Sequence, residues 1–291
     1  HWGDDPRGPD NIMYTGHLFY MMTLYRQAFN DQVFEENVTL TNPGGPEFVT
    51  DVKALAVSIH KQAMEYVDAS GAHTYNIACE PGRIFVPCNL PHHLAQLSYD
   101  QIYGSQYQNE DEVWLDWIKT KMFNPEHGVL YDLYFPFGSG RSEAGDDEPM
   151  LKNRLSGVYN GWSIWMLHAM DKEWVTELYQ NYKQYFVVRG EDSPEEDGRT
   201  MVVDRSGLSG LAQRAMDTIA TGFGLIAAKH FSDKALFDEL LATWTLIFGE
   251  PQWSEGGLQF LHSATLYPLM FQNGFILVAK SISKDINLTE L

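Results

Sequence analysis

The stretch TGFGLIAA, Thr221–Ala228, is small and apolar around most of its circumference, while the next segment, Lys234–Phe248, is apolar on one side only. A helix that is apolar all round must be buried, and an amphipathic one lies against a core with one face in water. Alternation of the two kinds points to a toroid of helical hairpins with inner and outer rings, or to a plain bundle. Spacing of apolar residues predicts helices from a cap at Asp10 to Phe29, then at Thr50–Asp68, Pro91–Tyr103, Glu110–Met122 and Lys152–Met170. Further helices are expected at Lys172–Phe186, Gly207–His230, Asp233–Phe248 and Ala264–Ser283. In the first, Met13, His17, Met21 and Leu24 recur at helical spacing; in the fourth, Val113, Trp117 and Ile118 share one side. Val129–Phe135 alternates like a short strand. Asn42–Glu47, Gly138–Pro149 and Arg189–Arg199 read as a break and two polar loops. No fixed repeat and no domain boundary stands out, so residues 1–291 are read as one domain.

Only two cysteines occur, nine positions apart in CEPGRIFVPCN, Cys79–Asn89. As residues alone they are open to four readings: buried packing, a disulfide, part of a metal site, or reactive thiols. Arg83 and a helix starting near Pro91 would each lower a thiol pKa, whereas the rigid Pro81–Pro87 segment would tend to hold the sulfurs apart. A zinc site needs about four ligands. Cys79, Cys88, His92 and His93 supply that number, but not at a zinc-ribbon spacing. The formal charge of −19, from 39 acidic and 20 basic residues, repels nucleic acid and anionic lipid. No apolar run approaches the roughly 20 residues of a membrane span.

Two other groups stand out. Met13 and His17 lie four apart on one helical face, beside Gly16, whose missing side chain would admit another backbone or a ligand. A lone His on such a face is more often a core residue than a catalyst. In GVYNGWSIW, Tyr159 and Trp162 lie three apart, and aromatic faces of this kind serve either as core or as a wall for a cation.

Taken together, these stretches resemble the linalool dehydratase/isomerase family. The match is carried by HWGDDPRGPDNIMYTGHL with its Met-x-x-x-His, by the two cysteines of CEP…F…CN, by the Tyr-x-x-Trp pair, and by their order. The resemblance implies an all-α (α/α)6 barrel, a cofactor-free site, and a cyclic homo-oligomer whose sites are completed by a neighbouring subunit. It also implies a periplasmic or secreted location. By the same resemblance Cys79, Cys88 and His17 are acid–base residues and Met13 is a wall contributed across the interface. Phe85, Tyr159 and Trp162 would line the pocket, and Glu80 would tune Cys79 or pair with Arg83. The family also uses an Asp and a Tyr from its N-terminal region, which are expected before His1 together with the first helices of the barrel. Asn30–Pro46 reads as an insertion, and Pro87 stands where the type enzyme has a polar residue, which widens the substrate to related prenyl or polyene compounds.

That type enzyme dehydrates linalool to myrcene and interconverts linalool and geraniol. The expected substrate is thus a small hydrophobic alcohol. Its dehydration needs an acid at the hydroxyl and a base at the carbon losing a proton, in a pocket dry enough to protect the allylic cation. One thiol with His17 would manage the hydroxyl proton and the other would take the carbon-bound one, with a covalent thioether as the rival. A carbohydrate hydrolase or epimerase on a helical toroid is the alternative. It would draw on Glu80, Asp146, Asp147 and Glu255 and on the eight tryptophans. A non-catalytic binding barrel is the third reading.

Overall fold

The computed structural model describes residues 5, 7–41, 45–136, 149–150, 155–195, 197–249, 253–254 and 257–258. These divide into two compact units. The first runs to Asn124 and resumes at Leu130; the second takes Pro125–Val129 and the described residues from 155 onward. Eight α-helices occur among the described residues, and none is long and apolar enough to cross a membrane. The expected helix Ala264–Ser283 lies outside them.

The first unit is built on α1 (Ile12–Phe29), α2 (Val52–Ala63), α3 (Val86–Tyr103) and α4 (Gln108–Trp117), with a hairpin of β1 (Val38–Thr41) and β2 (Glu47–Thr50). Strand β1 pairs antiparallel with β2 in the register Val38 to Thr50. The core joins Ile12, Phe19 and Met22 of α1 to Leu55 and Ile59 of α2 and to Ala95 and Tyr99 of α3, and both cysteines belong to it.

Several sequence expectations are corrected here. Helix α1 starts after Asn11 rather than being capped by Asp10, whose carboxylate instead accepts from Tyr66 Oη at 2.7 Å. Its Met13–Met21 stripe is the outward face, 43% and 61% exposed at those two residues. The buried face is Ile12, Thr15, Gly16, Phe19, Met22 and Thr23. Helix α2 ends at Ala63, and further on Asp68 turns the chain by accepting from the backbone of Ser70 and Ala72. Helix α3 begins five residues earlier than expected. Pro87 sits in its first turn, where an N–H would lack a helical partner anyway, and Pro91 is inside it. On α4 the buried side chain is Trp114, not Val113; Trp117 and Ile118 are buried as expected, and a wider turn continues from Ile118 to Met122. The strand expected at Val129–Phe135 is two short pieces, Val129–Leu130 and Leu133–Tyr134, the latter paired with Pro149–Met150.

The second unit holds α5 (Gly157–Leu167), α6 (Lys172–Phe186), α7 (Gly210–His230) and α8 (Lys234–Phe248). Ser156 caps α5 by accepting from Val158 N and Tyr159 N, and Asp171 and Asp233 cap α6 and α8 in the same way. Every residue of Thr221–Ala228 is buried, while α8 buries Leu236, Leu240, Thr243 and Trp244 and exposes its other side. Val187–Val188 pairs with Met201–Val202.

Candidate active site

Glu80, Pro81, Gly82 and Arg83 form a turn closed by Arg83 N–H donating to Glu80 O at 2.8 Å. Pro in the second place and Gly82 at φ 66° in the third is the pattern of a type II turn, which demands a left-handed residue there. The turn sends the chain back along itself, and Cys79 N–H donates to Arg83 O at 2.9 Å. Ile84 then exchanges both backbone bonds with Tyr134, at 2.9 and 3.0 Å, and Phe85 leads in extended conformation into α3. Cys88 is therefore in the first helical turn. The Pro81–Pro87 segment does not hold the sulfurs apart: the two thiols, neither in a disulfide, are hydrogen-bonded to each other.

Helix α1 has no side-chain cap. Its first-turn donors go to the segment before the turn: Ile12 N–H to Ala78 O at 3.3 Å, and Met13 N–H to the Cys79 sulfur. A thiol at a helix N-terminus is the arrangement that favours thiolate. Here the Cys79 pKa is lowered, first by the Cys88 S–H and then by the Met13 N–H, against burial and the Glu80 charge. The Cys88 pKa is raised by the same bond, since its proton is held by Cys79, and by burial. Arg83 does not act on a thiol directly; it pairs with Glu80 at 2.6 Å.

Cys79 and Glu80 line a cavity of about 520 Å³ whose other wall is the outward face of α1: Asn11, Met13, Tyr14, His17, Leu18 and Met21. Cys88 is not among its lining residues and is 4% exposed, against 7% for Cys79. Half-buried His17 places Nδ1 2.6 Å from Met13 O. A carbonyl only accepts, so Nδ1 carries the proton and Nε2 the lone pair. Burial lowers the His17 pKa, which leaves the ring neutral at neutral pH.

The structure thus brings Met13, His17, Cys79, Glu80 and Cys88 together. Phe85 is half-buried against the core that contains both cysteines and does not line the cavity. Tyr159 and Trp162 belong to the second unit, on α5, where Trp162 stacks on Phe223 at 5.2 Å. Asn11, Tyr14, Leu18 and Met21 were not singled out from sequence as site residues, although their spacing on α1 puts them on one side with Met13 and His17. Among the described residues no group of three or more His, Cys, Asp or Glu is placed to hold a metal ion. His93 instead lies 2.7 Å from Asp111 and stacks on Trp114, and His92, its pKa lowered to about 3 by burial, packs against Gly16. The gap at Gly16 is filled by the α3 backbone, not by a ligand.

Three solved structures share this fold. The alpha-1,6-mannanase of Salegentibacter sp. HEL1_6 is 14% identical, with a TM-score of 0.55 over 94% of this chain and 76% of its own. An alpha-amylase from Clostridium perfringens is 11% identical, with 0.54 over 95% and 72%. The unsaturated glucuronyl hydrolase of Bacillus sp. GL1 is 11% identical, with 0.53 over 93% and 73%. The fold is thus an all-α (α/α)6 barrel. Within it the family is decided by sequence, because the pattern of the linalool dehydratase/isomerase family matches residues 2–266. The chain belongs to that family.

Proposed function

We propose that the chain dehydrates and isomerises a small allylic alcohol of the linalool type, with Cys79 as the group that both gives and takes the proton. The observation that carries this is the thiol pair at the start of α1, whose Cys79 member lies on a cavity with a largely apolar α1 wall. Hydroxide leaves poorly, so the Cys79 S–H protonates the hydroxyl as the C–O bond breaks. Water departs, and an allylic cation and the Cys79 thiolate remain. The negative charge appears where Met13 N–H and Cys88 S–H already point, which is stabilisation specific to the transition state. The thiolate then takes a proton from a carbon next to the cation, which gives the diene and restores the thiol. In a tertiary alcohol the lost hydroxyl and an adjacent methyl share one carbon, so a single sulfur reaches both. Return of water to the far end of the allyl cation gives the isomer instead. His17 Nε2 accepts a hydrogen bond from the hydroxyl and orients it. The scheme balances with protons alone. A neighbouring copy that closes the cavity over Met13, Tyr14 and Met21 belongs to the same reading.

The test is product analysis after incubation with linalool, geraniol and longer prenyl alcohols, beside a glycan panel. Myrcene or a homologous diene is expected, and Cys79→Ala should remove it by at least about a thousandfold with the thermal midpoint nearly unchanged. Turnover of a glycan with no reaction of the alcohols, or a Cys79→Ala variant at near-normal rate, would overturn the proposal.

A further inference from the structure

Cys79 and Cys88 sit on different elements, so something must fix the distance between the sulfurs. The side chain of Asn89, fully buried, binds Ile77 at both ends: Oδ1 accepts from Ile77 N at 2.8 Å and Nδ2 donates to Ile77 O at 3.0 Å. Nδ2 also donates to Phe85 O at 3.1 Å. The amide thus stands in for a neighbouring strand along Ile77 and ties down the residue that leads α3. Asn89 is one residue beyond Cys88, and Ile77 is two before Cys79, so the clamp has short arms to both sulfurs.

We propose that Asn89 is the positioning residue of the thiol pair, holding the segment that carries Cys79 against the first turn of α3 so that the Cys88 S–H stays aimed at the Cys79 sulfur. This rests on the acid–base reading of the thiols. No other amide-sized side chain does the same. Asp keeps the acceptor for Ile77 N but loses the donor, and sets a carboxylate against two carbonyls. Ser is too short to span both groups of Ile77. A shift of about 1 Å between reacting groups is enough for a hundredfold loss of rate.

Asn89→Asp and Asn89→Ser are compared with wild type by three measurements. Thiolate formation is followed by ultraviolet absorbance against pH, closure of a Cys79–Cys88 disulfide by the oxidant diamide, and kcat and KM separately with linalool. Diamide takes the two electrons and two protons of the thiols and becomes the hydrazine. A positioning role predicts that the first thiolate forms at higher pH, that closure slows at least tenfold, and that kcat falls about a hundredfold with KM little changed. Asn76→Asp is the control, since Asn76 is equally buried but holds Trp114 Nε1 at 2.9 Å. It should lower the melting temperature without altering thiol titration or closure. Wild-type titration and closure in the Asn89 variants would overturn the proposal whatever their melting temperature. If neither variant folds, amide exchange in wild type decides: Ile77 N–H should be as protected as the middle of α3, and exchange at loop rates would refute the clamp. Because titration and closure use no substrate, they test the clamp even if linalool proves to be the wrong alcohol.

Discussion

Helices α1 and α5 begin in opposite ways. Ser156 serves the start of α5 from its own chain position, and its hydroxyl is in turn bonded to Asp204, whose carboxylate also accepts from Ser206 N at 3.0 Å. That helix end is closed by a hydroxyl and by the carboxylate that holds it. The start of α1 has no such side chain, and its N–H groups are met by Ala78 O and by a cysteine 66 residues further along the chain. The same need for a partner at a helix terminus yields an inert cap in one unit and an activated thiol in the other. Close packing supports both. A methyl group added at Gly16 would lie 3.3 Å from His92 Cβ, and one at Gly161 would lie 2.8 Å from Tyr182 Oη and 3.0 Å from Phe223 Cβ.

The sharpest way to break this contrast is to remove the second donor on Cys79. Cys88→Ala deletes a hydrogen bond to a charged group, worth roughly 1.5–3 kcal/mol, so turnover should fall about a hundredfold. Cys88→Ser, which still donates, should recover most of it. The pH profile gives the sign. In the proposed mechanism the working form of Cys79 is the thiol, so activity should be lost as pH rises through its pKa, which lies below the ordinary 9.0. In Cys88→Ala that limb should move up; an unmoved limb would mean that the two sulfurs do not share the proton. At the acid end, activity should fall as His17 gains its proton, below 6.5. Next in size are the glycines. Gly161→Ala should destabilise by about 1–3 kcal/mol, read as a lower melting temperature. Gly16→Ala should destabilise less, since its nearest contacts are longer. It should still slow turnover several-fold, because pushing α1 off α3 withdraws Met13 N–H from Cys79.

Much of this was legible in the sequence, and the failures have physical causes. Lys172–Phe186 is the same helix in sequence and structure, where Asp171 caps its start and the extended Val187–Val188 pair follows its end. The buried run in α7 was equally plain. The core face of α1 leaves little trace in the sequence because it is made partly of Thr15, Gly16 and Thr23, small or polar residues that carry little hydrophobic signal, whereas the cavity face carries Met and His. The early start of α3 was hidden by two prolines four apart. Pro91 reads as a first-turn residue, but Pro87 already holds that place. The cysteine motif pointed to the site, but the direction of the proton between the sulfurs depends on a helix 66 residues earlier in the chain, which no spacing within the motif records.

The mildest change probes how far the reactive end feels its surroundings. Glu80 opposes thiolate formation at Cys79, and Arg83, 2.6 Å from it across the turn, offsets that charge. Both side chains are 40% exposed, so the pair itself contributes at most about 1 kcal/mol to folding, and Arg83→Ala should leave the melting temperature nearly unchanged. Its effect should fall on the thiol: the alkaline limb moves up and the rate drops by a factor of about two to five. Salt screens exposed charges over roughly 10 Å at 0.1 M, so the drop should shrink as salt is added. A melting shift with an unmoved limb would show Arg83 to be a brace for the turn, and would leave the first-turn N–H of α1 and the Cys88 thiol as the groups that set Cys79.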